Sequence, residues 1–172
     1  YSGGASCPAL LLEPQRTNVV TQSEYFGSST WSKLSSGTGS VPVVTDNYAI
    51  SPEGIQNAAR IVFNKGSGTT TSDFSLIQYS ASTDGVGSIY LKGENGGESV
   101  TFVVRGSSFS VLELTTEWQR FDLYSAILNQ LTIRVRGDQN NNDTATIYAY
   151  GAQVEAGSYP TSYIPTYGSS VT

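Results

Sequence analysis

The side chains that could do chemistry in this chain are carboxylates, guanidinium groups and tyrosines. The 172 residues include no histidine, which removes the usual proton shuttle at neutral pH. Acid–base catalysis would have to rest on carboxylates, as in glycoside hydrolysis, where two of them face each other across a cleft. Glu13, Glu53, Glu94, Glu98, Glu113, Glu117 and Glu155 fall mostly in turns or near strand ends, and no spacing pairs any two of them. Serine and threonine are abundant but lack both a base and a GxSxG elbow. The chain is therefore read as a non-enzyme.

Binding suits these residues better. A sugar offers hydroxyls at its ring edge and C–H groups on its faces, so its site needs an aromatic platform beside planar donors and acceptors. The chain has 11 Tyr and 2 Trp, and alternation places Tyr90, Arg105, Arg134 and Arg136 opposite the core-forming series. Gln78 and Tyr79 join this carbohydrate-binding set, although Leu76, Ile77 and Tyr79 break the alternation and leave open which of the two faces outward. The alternatives are that Tyr90 is an ordinary cross-strand residue, and that the arginines pair with Asp122 or Glu113, which is worth little on a surface.

A structural Ca2+ is a further expectation, with Glu24, Asp46, Glu53 and Glu155 as weak candidates for its oxygen ligands. The run from Asp138 to Asp143, DQNNND, lacks the glycine and closing Glu of an EF-hand and is read as a polar hairpin tip. No other cofactor is expected. Cys7 is the sole cysteine, so neither an intrachain disulfide nor a Cys-based metal cluster can form.

Strands must position these groups. From Gly87 to Gly106 two period-2 runs flank a Gly/Asn/Glu-rich turn, which reads as a hairpin with Ile89, Leu91, Phe102 and Val104 inward. Other strands are expected near Val41–Thr45, Ala58–Asn64, Phe74–Ser80, Ser110–Leu114, Trp118–Ser125, Leu131–Arg136 and Thr146–Val154, with a turn at Ser82 to Gly85. Two short strands with a bend occupy residues 9–21, and Tyr25, Phe26 and Trp31 anchor an irregular loop, with Trp31 plugging one end of the core. Trp118 is read as core, with a sugar platform as the alternative. Many short strands at regular spacing without helical periodicity indicate an all-β fold, a jelly-roll β-sandwich of two antiparallel sheets.

Composition bounds the rest. Only 13% of residues are charged, and 9 basic against 14 acidic residues give a net charge of −5. The basic residues are dispersed, so no nucleic-acid footprint is visible, and no run is apolar enough for membrane insertion. Residues 1–8 form a linker-like lead-in and 9–172 a single domain, which reads as a piece of a longer polypeptide. The Pro/Tyr-rich end is expected to dock on its own sandwich near Leu10 to Leu12, leaving the isolated domain monomeric even if the parent protein is trimeric.

Three stretches carry a resemblance: LLLEPQRTNVVTQSEYF at 10–26, LTTEWQRFDL at 114–123 and IYAYGAQVEAGSYPTSYIPT at 147–166. Together with SIYLKG they resemble a domain of tailed-bacteriophage tail and virion proteins, which is in turn similar to the jelly-roll carbohydrate-binding modules of xylanases and glucanases. The resemblance implies a non-catalytic module on a virion tail, or otherwise extracellular, that binds polysaccharide or host-surface glycan on a concave sheet. The alternative it allows is a purely structural tail-assembly domain. Those modules usually carry a Phe-Glu pair after the first strand and acidic residues on the last, where this chain has Glu24-Tyr25-Phe26-Gly27 and Tyr150-Gly151-Ala152-Gln153.

Overall fold

The computed structural model describes residues 13–105 and 108–172. Cys7, Leu10 to Leu12 and the expected lead-in lie outside the described residues. The described chain is all β: β1 (Trp31–Ser36), β2 (Ser40–Ile50), β3 (Gln56–Asn64), β4 (Phe74–Gly93), β5 (Ser99–Arg105), β6 (Ser108–Glu113), β7 (Gln119–Arg136) and β8 (Thr144–Glu155). They are hydrogen-bonded in the order β2-β3-β8-β4-β7-β5-β6, with β1 also on β4.

Two long strands make this one network a sandwich. β4 and β7 pair antiparallel from Phe74↔Arg136 to Leu91↔Gln119, and their register shifts between Ser80 and Gly85. The residues that read as a turn, Ser82 to Gly85, are instead a bulged bend that both strands follow from one layer into the other. One layer is therefore β2, β3, β8, the second half of β4 and the first half of β7. The other is β1, the first half of β4, the second half of β7, β5 and β6. This antiparallel arrangement is the expected jelly roll.

The core lies between the layers. Ile77, Leu131, Ile133, Val135, Val100, Phe102 and Val104 enter from one sheet, and Ile89, Leu91, Ile147, Ala149 and Val154 from the other. Trp31 closes one end, packed against Phe26 at 4.8 Å and Tyr79 at 5.4 Å between ring centroids. Its indole N–H donates to the Gln22 carbonyl at 2.9 Å, which satisfies its one polar atom. The segment read as an irregular loop thus contributes a strand, β1, once Trp31 is anchored.

The expected hairpin from Gly87 to Gly106 does not form. β5 pairs with β6 and β7, and β4 with β1, β7 and β8, so the loop of Glu94 to Glu98 is an arch between sheets. The alternation was assigned correctly on each strand, but crossing between sheets turns their outward faces to opposite sides of the molecule. Tyr90 and Lys92 face one way, and Thr101 and Val103 the other.

The segment around Asn18 to Gln22 and the C-terminal tail meet on the β8 side. Asn18, fully buried, donates through Nδ2 to the carbonyls of Ala152 and Ile164 at 3.2 and 2.8 Å, while its Oδ1 accepts the Val20 and Val154 N–H groups. Isolated bridges join Asn18 to Val171 and Gln22 to Tyr167. The tail docks within the chain, and residues from two of the quoted stretches, 10–26 and 147–166, pack against each other to hold it.

Candidate functional site

Each sheet has an outer face. On the β8 sheet, alternation points Tyr90, Lys92, Arg120, Tyr148, Tyr150, Gln153 and Glu155 outward, and the protein's own chain covers most of them. Tyr163 of the tail packs edge-on against Tyr150 at 5.2 Å, and Tyr150 lies 6.0 Å from Tyr90. Glu155 accepts the Thr161 N–H and hydroxyl, both at 2.7 Å, and Gln153 accepts the Ile164 N–H. Arg120 sits over the Tyr90 ring and donates to the Thr161 carbonyl at 2.7 Å. A bulge at Gly151, φ 62°, brings these rings together; a Cβ there would lie 3.2 Å from Tyr90 and 3.3 Å from Tyr163. Burial pushes the Tyr150 and Tyr163 hydroxyls well up from the ordinary tyrosine value, Glu53 and Glu24 respectively adding to it.

At the other end of this face the Trp118 indole N–H donates to the Ile50 carbonyl at 3.0 Å. Those two residues flank opposite edges of the sheet, which a flat arrangement would hold about 19 Å apart, so the edges curl over the strands between. Lys92 lies 5.2 Å from the Trp118 ring and 5.2 Å from the Tyr148 ring. Trp118 is thus half-buried on an outer face and not core. Its parity with Arg120, two residues on, carried that signal.

The opposite outer face is open. Side chains form cross-strand rows: Leu34, Leu76, Arg134, Thr101 and Val111 in one, and Ser32, Gln78, Thr132, Val103 and Phe109 in the next. Thr101, Thr132 and Val103 point away from the core yet are buried, while the rim residues Leu34, Phe109 and Val111 are 48%, 44% and 46% exposed. Buried outward residues between exposed edges define a hollow. Its floor sets the polar Gln78, Thr132, Arg134 and Thr101 beside the apolar Leu76 and Val103, and its rim is mostly apolar.

The loop after β7 closes one end of this hollow. Asn140, buried, accepts the Thr101 hydroxyl at 3.1 Å and the Arg136 N–H at 2.9 Å, and its Nδ2 donates to Ser99 Oγ at 2.9 Å. Arg134 Nε donates to Gln139 Oε1 at 3.2 Å, and Arg136 Nη2 to Asp138 Oδ2 at 2.8 Å. The stretch read as a polar hairpin tip is therefore a built part of the face. Beside it lies an open pocket of about 540 Å3 lined by Gly97, Ser99, Val111, Glu113, Gln139, Asn141 and Asn142. Burial foremost, then the adjacent Arg136 charge, push Arg134 down to about 10, with Asp138 opposing; at neutral pH it remains a cation.

The residues selected from sequence thus divide. Gln78, Arg134 and Arg136 share the hollow face, while Arg105 lies at the end of β5 beyond a register shift after Val103 that interrupts the alternation. Tyr90 is on the opposite side of the sandwich, because the bend in β4 separates it from Gln78. Tyr79 points inward, its ring on Trp31 and its hydroxyl donating to the Val19 carbonyl at 3.0 Å. The arginines do not pair with Asp122 or Glu113. Thr101, Thr132, Phe109, Gln139 and Asn140 were missed; for Asn140 the density of amides in DQNNND was the available signal.

Of the calcium candidates, Glu24 and Glu53 both lie close to Tyr150 and Tyr167, and the others are engaged with protein donors. Glu24 accepts from Tyr163, Tyr167 and Asn57, Asp46 from the Gly27 N–H, and Glu155 from Thr161 and Gln153. Among the described residues no three His, Cys, Asp or Glu side chains gather as a ligand set.

No family model and no curated protein sequence matches the chain. Solved structures do. Two single-site mutants of the family 29 carbohydrate-binding module CBM29-2 superpose with TM-scores of 0.53 and 0.52 at 12% and 11% identity, covering 84% and 83% of this chain and 89% and 93% of theirs. A carbohydrate-binding module of promiscuous specificity from the β-sandwich superfamily gives 0.51 at 9% identity, over 80% of this chain and 61% of the other. At such identities the likeness is one of fold.

Proposed function

We propose that the domain is a non-catalytic carbohydrate-binding module whose ligand, a polysaccharide or surface glycan, lies across the hollow formed by β1, β4, β7, β5 and β6. The observation that carries this reading is the pairing of a sunken polar floor, Gln78, Thr132, Arg134 and Thr101, with an exposed apolar rim of Leu34, Phe109 and Val111. Hydroxyl groups at the edge of a sugar ring meet the planar amide and guanidinium groups, while C–H faces rest on the rim. The shared fold with carbohydrate-binding modules supports the reading. The resemblance of the 10–26 and 147–166 stretches to tail proteins extends it to a virion-borne or extracellular module that holds a host surface.

A glycan array followed by titration of the strongest hit tests the reading. Gln78→Ala and Phe109→Ala should each weaken binding about tenfold, about 1.4 kcal/mol, with the melting temperature unchanged for Phe109→Ala and slightly lower for Gln78→Ala, which removes the acceptor of the Thr132 hydroxyl; Tyr124→Ala on the opposite sheet should leave binding intact. An empty array, or a hit insensitive to Gln78 and Phe109, would leave the fold with a structural role.

A further inference from the structure

The hollow contains a cation that the protein does not pair directly, Asp138 acting on it only from beyond hydrogen-bond range while held by Arg136. Arg134 is only 8% exposed, yet among the described residues it makes no ion pair, and its sole side-chain hydrogen bond is from Nε to the neutral Gln139. Both Nη nitrogens lack a protein acceptor among those residues. The neighbouring residues are Leu76 and Thr101 across the strands, with Thr132 and Arg136 along β7. Arg136 adds a like charge but is itself held by Asp138. Glu113, on the edge strand in the row next to Val111, lines the open pocket with Gln139 and makes no ion pair among the described residues.

A sunken cation without a counter-charge is costly. It contrasts with Arg60, which pairs with Glu94, and with the buried Lys65, which pairs with Asp143. A guanidinium with its two Nη groups unused presents the fork that meets a planar carboxylate with two parallel hydrogen bonds. The lowered proton affinity of Arg134, caused first by burial, accords with a partly dehydrated guanidinium. An arriving anion would restore what burial has taken.

We infer that the glycan bound on this face is acidic, with a uronic-acid carboxylate seated on the Arg134 guanidinium and the polymer continuing across Gln78, Thr132 and Asn141. This rests on the face assigned above. Asn141, exposed at the open pocket that Gln139 lines, supplies an amide for the hydroxyls of the next ring. A neutral chain would leave the Arg134 charge desolvated and unmatched, so the face discriminates against it.

The test is a panel of polygalacturonate, alginate, glucuronoxylan and hyaluronate, each beside its carboxyl-reduced counterpart, measured by calorimetry with the full chain. The inference expects at least one acidic polymer to bind tenfold or more tighter than its reduced form, with affinity falling as salt is raised. Arg134→Gln should abolish that preference and Arg134→Lys restore part of it, the melting temperature of Arg134→Gln being equal to or above that of the unchanged protein. Equal binding of acidic and reduced polymers, still dependent on Gln78 and Phe109, would overturn the acidic class while leaving the glycan-binding face in place. No binding of any polymer would overturn both. A melting temperature several degrees lower in Arg134→Gln would show a structural guanidinium and overturn the inference directly.

Discussion

Asn140→Ala tests whether the loop after β7 is a built part of the hollow or an idle connection. The side chain makes three hydrogen bonds, at 3.1 Å from the Thr101 hydroxyl, at 2.9 Å from the Arg136 N–H and at 2.9 Å to Ser99 Oγ. Thr101 is fully buried, so water cannot readily replace its lost acceptor. At about 1 kcal/mol net per bond, with more where a partner is left dry, the substitution should cost about 3 kcal/mol. For a domain of this size that corresponds to a fall of about 6–12 °C in melting temperature. Urea titration at constant m-value measures it. Asn140→Asp retains the acceptor for Thr101 and Arg136, and Ser99 can turn to donate, so it should cost about half as much. Binding of whichever glycan the array reveals should weaken in both, because Gln139, which orients Arg134, sits on the same loop. A loss below about 0.5 kcal/mol for the alanine variant, or equal losses for the two variants, would refute this account of the loop.

The two tryptophans should separate cleanly. Trp31→Ala removes a fully packed indole between Phe26 and Tyr79 and should cost about 3–5 kcal/mol, whereas Trp118→Ala loses one hydrogen bond and a half-exposed contact and should cost about 1 kcal/mol; comparable losses in urea would contradict their placement. Acid should destabilise the domain through Asp73, whose carboxylate is held well below the usual range first by the Thr70 hydroxyl and then by the Thr38 and Thr70 N–H groups. With its folded value depressed, its contribution is complete above about pH 4, the ordinary carboxylate value, and is lost as pH falls further. Asp73→Asn should therefore flatten the acid limb of stability against pH, and superimposable limbs would exclude the assignment. Because the tail is satisfied within the chain by Asn18, Gln153 and Glu155, the isolated domain should scatter light as a monomer at all concentrations, and a concentration-independent trimer would show that the tail has a second partner.

Fold class, strand parity and the polar chemistry of one face were legible from residue order alone. Alternation is a local property: Ile133 and Val135 against Thr132, Arg134 and Arg136 specify the two sides of a strand whatever surrounds it. Trp118 shows the same rule from the other side, since its parity with Arg120 was legible and a preference for aromatic cores overrode it. What only the tertiary structure decided was which sheet each outward side belonged to. β4 and β7 are single strands that bend through both layers, so Gln78 and Tyr90, twelve residues apart on one strand, end on opposite surfaces. Nothing local distinguishes a bulged bend at Ser82 to Gly85 from a turn, because the same small and polar residues allow both, and the choice is made by the long-range pairing with residues 125–130. Likewise Asn140 became part of the face through Thr101 and Ser99 on another strand, and Arg134 was left unpaired only when the packing around it removed water without bringing a carboxylate into contact with it.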